Sequence, residues 1–82
     1  MKYLIIAYRW ANRNDHSYEI GYFGELNEAT KKAEQETYFR AGKYSCVVFD
    51  IRENKAVHIT EIPENYKLKE NRIELKIGMK YE

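Results

Sequence analysis

"LNEATKKAEQETYFRAGKYSCVVFDI", residues 26–51, passes from a helical pattern to a strand pattern, and that change of period decides the fold. In its first half Ala29, Ala33, Glu36/Thr37 and Arg40/Ala41 recur at helical spacing, with charges filling the other positions. The spacing predicts one helix over about residues 27–41. Asn27 suits the N-cap, Glu28 the positive end of the dipole and Arg40 the negative end. Gly42 stands where a left-handed residue ends a helix. The stripe is small, so the helix is expected to lie close over a sheet, with Tyr38 or Phe39 closing one side. "YSCVVFDI" (44–51) is then the strongest strand signal in the chain.

Outward from this core, "RENK" (52–55) reads as a turn and "AVHITEI" (56–62) as a strand paired to 44–51, ended by Pro63. Upstream, "YLIIAYRW" (3–10) reads as a central strand, with Tyr3, Ile5, Ala7 and Arg9 on one face and Leu4, Ile6, Tyr8 and Trp10 on the other. "SYEIGYF" (17–23) alternates, with Tyr18, Ile20 and Tyr22 on one face and Glu19 and Gly21 on the other. "ANRNDH" (11–16) is the hairpin loop between these two. Near the C-terminus Ile73, Leu75 and Ile77 alternate with Glu74, Lys76 and Gly78, which predicts a peripheral fifth strand over about 72–78. The expected fold is α+β: a four- to five-stranded antiparallel sheet with one helix on one face, in the order β-β-α-β-β-β. Residues 1–82 are expected to form one domain with its core over about 3–62.

With 14 basic and 13 acidic side chains the net charge is +1, so no global field holds nucleic acid and a basic site must be local. The 8 tyrosines outnumber the 3 phenylalanines and 1 tryptophan, a bias that suits half-exposed sheets and interfaces. The single cysteine, Cys46, excludes an internal disulfide and a Cys-rich zinc site, and it reads as a small core hydrophobe. His58 reads as a surface or satisfied sheet histidine. A Cys46–His58 catalytic pair lacks an orienting third group. No Gly-rich phosphate loop and no metal-spaced ligand set is present, so neither an enzyme nor a cofactor is expected. The apolar run in "MKYLIIAYRW" is too short for a membrane span, and the chain reads as cytoplasmic with no membrane partner.

Chain direction points to a candidate site. If the first strand runs up, its loop lies at the top, and the helix climbs back to end there beside the start of the third strand. Arg9, Trp10, Arg13, His16, Arg40, Lys43 and Tyr44 then share one end, with Asp15 the acid among them. Each has an ordinary structural role as well: Arg9 packing its stem across the sheet, Arg40 capping helix carbonyls, Trp10 covering the core. As a cluster they suit an anionic group or single-stranded nucleic acid, with a base on Trp10. The small net charge and the negative end of the helix dipole weigh against that. A protein partner or a homodimer is the favoured expectation. One helix covers one sheet face, and the other face looks apolar in the sequence, as an interface would be.

The runs "AYRW..R..HSY..GYF" and "A...AE.E..YRAGKYSCVV", with Phe39 at the first tyrosine position of the latter, resemble a group of small phage and prophage proteins. The resemblance covers about residues 3–51. It implies a small intracellular accessory protein of a phage or a lysogenic bacterium. The group has no assigned activity, so the resemblance implies no functional residue.

Overall fold

The computed structural model describes residues 2–9, 17–41, 43–61 and 75–81. Along them run β1 (Tyr3–Arg9), β2 (Tyr18–Phe23), α1 (Leu26–Phe39), β3 (Tyr44–Asp50) and β4 (Lys55–Ile59). The strands form one antiparallel sheet in the order β2-β1-β3-β4, and α1 packs on one face of it. The α+β class read from the sequence is the one adopted. Because β1 is antiparallel to both neighbours, β2 and β3 point the same way, and α1 must carry the chain back along the sheet between them. Its C-terminus therefore returns to the end where β1 finishes. There the last residue of β1, Arg9, pairs with the first of β3, Tyr44.

Under α1 lie Ile5, Ala7, Cys46 and Val48, closed by Ala29 and Ala33 of the helix and flanked by Tyr3, Tyr18, Ile20, Phe23, Tyr44 and Val57. The two alanines let the helix backbone approach the sheet, as the small stripe predicts. Neither Tyr38 nor Phe39 closes the side of this layer: they are 89% and 77% exposed. At roughly 100° per residue, Tyr38 sits about 180° around the helix from Ala29 and points away from the sheet.

The second face is not an open apolar surface. Leu4, Ile6, Tyr8, Val47, Phe49 and Ala56 are buried there, with Ile59, Leu75 and Met79 against them. Tyr81 meets Phe49 edge-on at 5.4 Å. The C-terminal segment reaches this position by a turn. Met79 N–H donates to Lys76 O at 3.1 Å and Gly78 has φ 90°, a value open to glycine. It then clips to β4: Gly78 N–H donates to Ala56 O and Ala56 N–H to Met79 O, both at 2.8 Å. Residues 75–78 of the expected fifth strand are thus a turn and a clip, with Ile77 exposed. Residues 72–74 lie outside the described residues, as do Ile62 and Pro63.

Two bulges break the alternation read from the sequence. Ile5 pairs with Gly21 but Ile6 with Glu19, leaving Ile20 as the extra residue. Beyond it the faces exchange, so Tyr22, opposite Leu4, joins Glu19 rather than Tyr18. A second bulge leaves Val57 extra between His58 and Ala56. His58 faces the helix and its Nε2 lies 3.0 Å from Glu34 Oε1, which satisfies it on the sheet as expected.

The helix ends also differ from expectation. Glu25 is the N-cap, in extended conformation and without a side-chain cap bond; its carbonyl accepts the first helical bond from Ala29 N–H at 3.1 Å. Asn27 is already inside the first turn. At the other end Arg40 is the C-cap and Ala41 takes the left-handed conformation, φ 55°. Gly42, expected there, lies outside the described residues.

Candidate functional site

At the end of the molecule where β1 finishes and β3 begins, Tyr18 and Tyr44 of the sheet and Phe39 of the helix converge on Arg40. The helix delivers Arg40 one residue after its last turn, above the rim of the sheet. Tyr18 from the start of β2 and Tyr44 from the start of β3 rise beneath it, their rings edge-to-face at 5.3 Å. The Arg40 guanidinium carbon lies 5.2 Å from the Tyr18 ring centroid, 5.4 Å from that of Tyr44 and 5.9 Å from that of Phe39. Three aromatic neighbours surround a side chain that is otherwise among the most mobile, the ring faces attracting its positive charge.

Hydrogen bonds complete the arrangement. Arg40 Nε donates to the Tyr18 hydroxyl at 2.9 Å, and that hydroxyl donates to Glu36 Oε2 at 2.5 Å. Glu36, one turn before Arg40 on the helix, also lies 3.6 Å from Nε as an ion pair. The phenol therefore stands between cation and anion. Desolvation, then the bond to Glu36, pushes its pKa up to about 12, so it stays protonated. The bond to Tyr18 in turn holds the guanidinium yet more firmly charged.

Behind this surface the structure is sealed. Thr60 N–H donates to Cys46 O at 3.0 Å and its Oγ1 accepts from Cys46 N–H at 2.8 Å. The same Oγ1 meets Thr37 Oγ1 of the helix at 2.7 Å. Cys46 is fully buried and desolvation pushes its thiol up to about 11, so it serves as core and not as a thiolate.

Of the residues singled out in the sequence, Arg9, Arg40, Lys43 and Tyr44 are brought to this end. Arg9 pairs with Tyr44 across the sheet, and Lys43 N–H donates to Arg40 O at 3.1 Å. Trp10, Arg13 and His16 lie outside the described residues. The sequence reading missed Tyr18 and Glu36, the partners that hold Arg40, and missed the exposed pair Tyr38 and Phe39. The angular position of Tyr38 relative to the alanine stripe was signal enough for its exposure. The bond from Tyr18 to Glu36 carried no signal in sequence spacing.

Among the described residues no group of His, Cys, Asp and Glu is placed to hold a metal ion. No helix among them is long and apolar enough to cross a membrane. No family model, curated protein or solved structure matches this chain.

Proposed function

We propose that the protein is a small cytoplasmic accessory protein of phage or prophage type that works by binding another protein, not by catalysis. The docking surface is the aromatic end of α1. One observation carries the reading: Tyr38 and Phe39, adjacent on the last turn, are 89% and 77% exposed beside the Arg40, Tyr18 and Tyr44 cluster. Exposed aromatics next to an ordered arginine have the composition of interface anchors. Among the described residues neither closes the layer between helix and sheet, which the alanine stripe already seals. The phage and prophage setting rests on the resemblance of residues 3–51.

Selection of a displayed library of short peptides against the immobilised full chain tests the proposal. Enriched peptides are expected to bind the Tyr38→Ser/Phe39→Ser double variant at least about tenfold more weakly. Both side chains are exposed, so the variant should keep its stability within about 0.5 kcal/mol. Peptides that bind both proteins equally, or no enrichment at all, would sink the proposal.

A further inference from the structure

We infer that Arg40 is a preset fork for a carboxylate, and that the partner segment is an acidic peptide whose carboxylate neighbours an apolar residue. The inference rests on the protein-binding reading above and names the chemistry of the partner.

A guanidinium carries five N–H donors in one plane. Arg40 spends Nε on the Tyr18 hydroxyl, and its two terminal nitrogens make no hydrogen bond among the described residues. Those nitrogens carry the donor pair that grips a carboxylate in two parallel bonds. Ordinarily such a grip costs the ordering of a long side chain. Here the rings of Tyr18, Tyr44 and Phe39 already hold the guanidinium, and the side chain is still 43% exposed. The ordering is done before the partner arrives, which favours binding. Phe39 touches the guanidinium and Tyr38 precedes it, so an apolar side chain next to the bound carboxylate meets an aromatic ledge.

Charge selects among the possible occupants. The described charged side chains at this end are Arg9, Arg40 and Lys43, against Glu36, which is already bonded to Tyr18 and paired with Arg40, and the exposed Glu61 that follows Thr60. A second copy of the chain docking head to head would set these cations against their own images, and such contacts are repulsive. An oligonucleotide brings a phosphate with every nucleotide, whereas three cations beside two carboxylates neutralise few of them. A single carboxylate on a peptide matches the surplus of one among the described residues.

The test uses the 15N-labelled full chain and four probes followed by amide shifts. These are a synthetic pentapeptide with a central tryptophan flanked by glutamates, its glutamine-flanked and lysine-flanked counterparts, and an octathymidylate. The glutamate peptide is expected to shift residues 38–44, with the glutamine version about tenfold weaker and the lysine version weaker still. Arg40→Lys keeps the charge but loses the fork, and should weaken the glutamate peptide by about tenfold, whereas Lys43→Gln should cost only about two- to threefold. If Arg40→Lys disturbs amides away from this end, the comparison of glutamate with glutamine peptides on the unaltered chain decides. Equal binding of all three peptides at this end overturns the carboxylate fork and leaves the protein-binding reading intact. Tighter binding of octathymidylate than of the glutamate peptide overturns both. No shift with any probe overturns the fork, and the displayed library alone then decides the protein-binding reading.

Discussion

Tyr18 joins the candidate site to the stability of the fold. Its hydroxyl accepts from Arg40 and donates to Glu36. The bond to Glu36 needs the neutral phenol, whereas the bond from Arg40 favours the ionised form and offsets part of the rise in its pKa. Burial and the neighbouring carboxylate raise its pKa from 10.0 to about 12. A raised folded-state value means that folding favours the protonated form. The stabilisation is therefore fully present below pH 10 and is lost as pH rises through about 12. In an absorbance titration of the 8 tyrosines, one transition near pH 12 is expected to vanish in Tyr18→Phe. The same variant should lose about 1 kcal/mol at neutral pH, from two hydrogen bonds exchanged for water at a half-exposed site. If the amplitude lost in Tyr18→Phe titrates near pH 10, the bond to Glu36 is absent. Arg40 and Tyr44 were legible in the sequence, and Tyr18 was not. Arg40 followed from helix direction and dipole, and Glu36 stands four residues before it at pairing distance on the same helix. Tyr18 meets both only once a strand and a helix turn, 18 residues apart in the chain, are superposed.

The N-terminal end of α1 was misread and at the C-terminal end Ala41 precedes Gly42 in taking a left-handed conformation, because capping depends on backbone angles that several residues can adopt. Glycine is the obvious left-handed residue, yet Ala41 holds φ 55° while the N–H of Ala41 closes onto Tyr38 O at 3.0 Å. An alanine there carries a Cβ penalty of about 1–2 kcal/mol that glycine avoids. Ala41→Gly is therefore expected to raise the urea midpoint, by about 1 kcal/mol after the loss of chain stiffness in the unfolded state. A lowered midpoint would mean that the helix ends elsewhere. The buried stripe, by contrast, was legible, because two alanines four apart leave little else for the sheet to meet. Ala33→Leu should overfill that contact and cost about 1–3 kcal/mol, read from the same urea curves. An unchanged midpoint would contradict the close approach of helix and sheet. The bulges at Ile20 and Val57 were not legible, since an alternating sequence is silent on where one residue is skipped. The skip at Ile20 is what moved Tyr22 to the other face.

At the scale of the whole molecule, the sheet is buried on both sides by different means. The helix covers one face, and Leu75, Met79 and Tyr81 pack on the other. Strand order and direction were legible from the order of elements, because hairpins and one helical return leave few arrangements. The covering of the second face was not. It depends on a turn at Gly78 and a clip to Ala56 that a strand-like alternation concealed. With that face closed, the expected docking surface moves from the sheet to the end of the helix, where Tyr38 and Phe39 stand beside the ordered Arg40. The most direct test is an amide-shift map of the labelled full chain bound to the strongest peptide from the displayed library. The largest shifts are predicted at residues 38–44 and at Arg9 and Tyr18. Shifts centred instead on Leu4, Ile6, Val47, Phe49 and residues 75–81 would contradict the account.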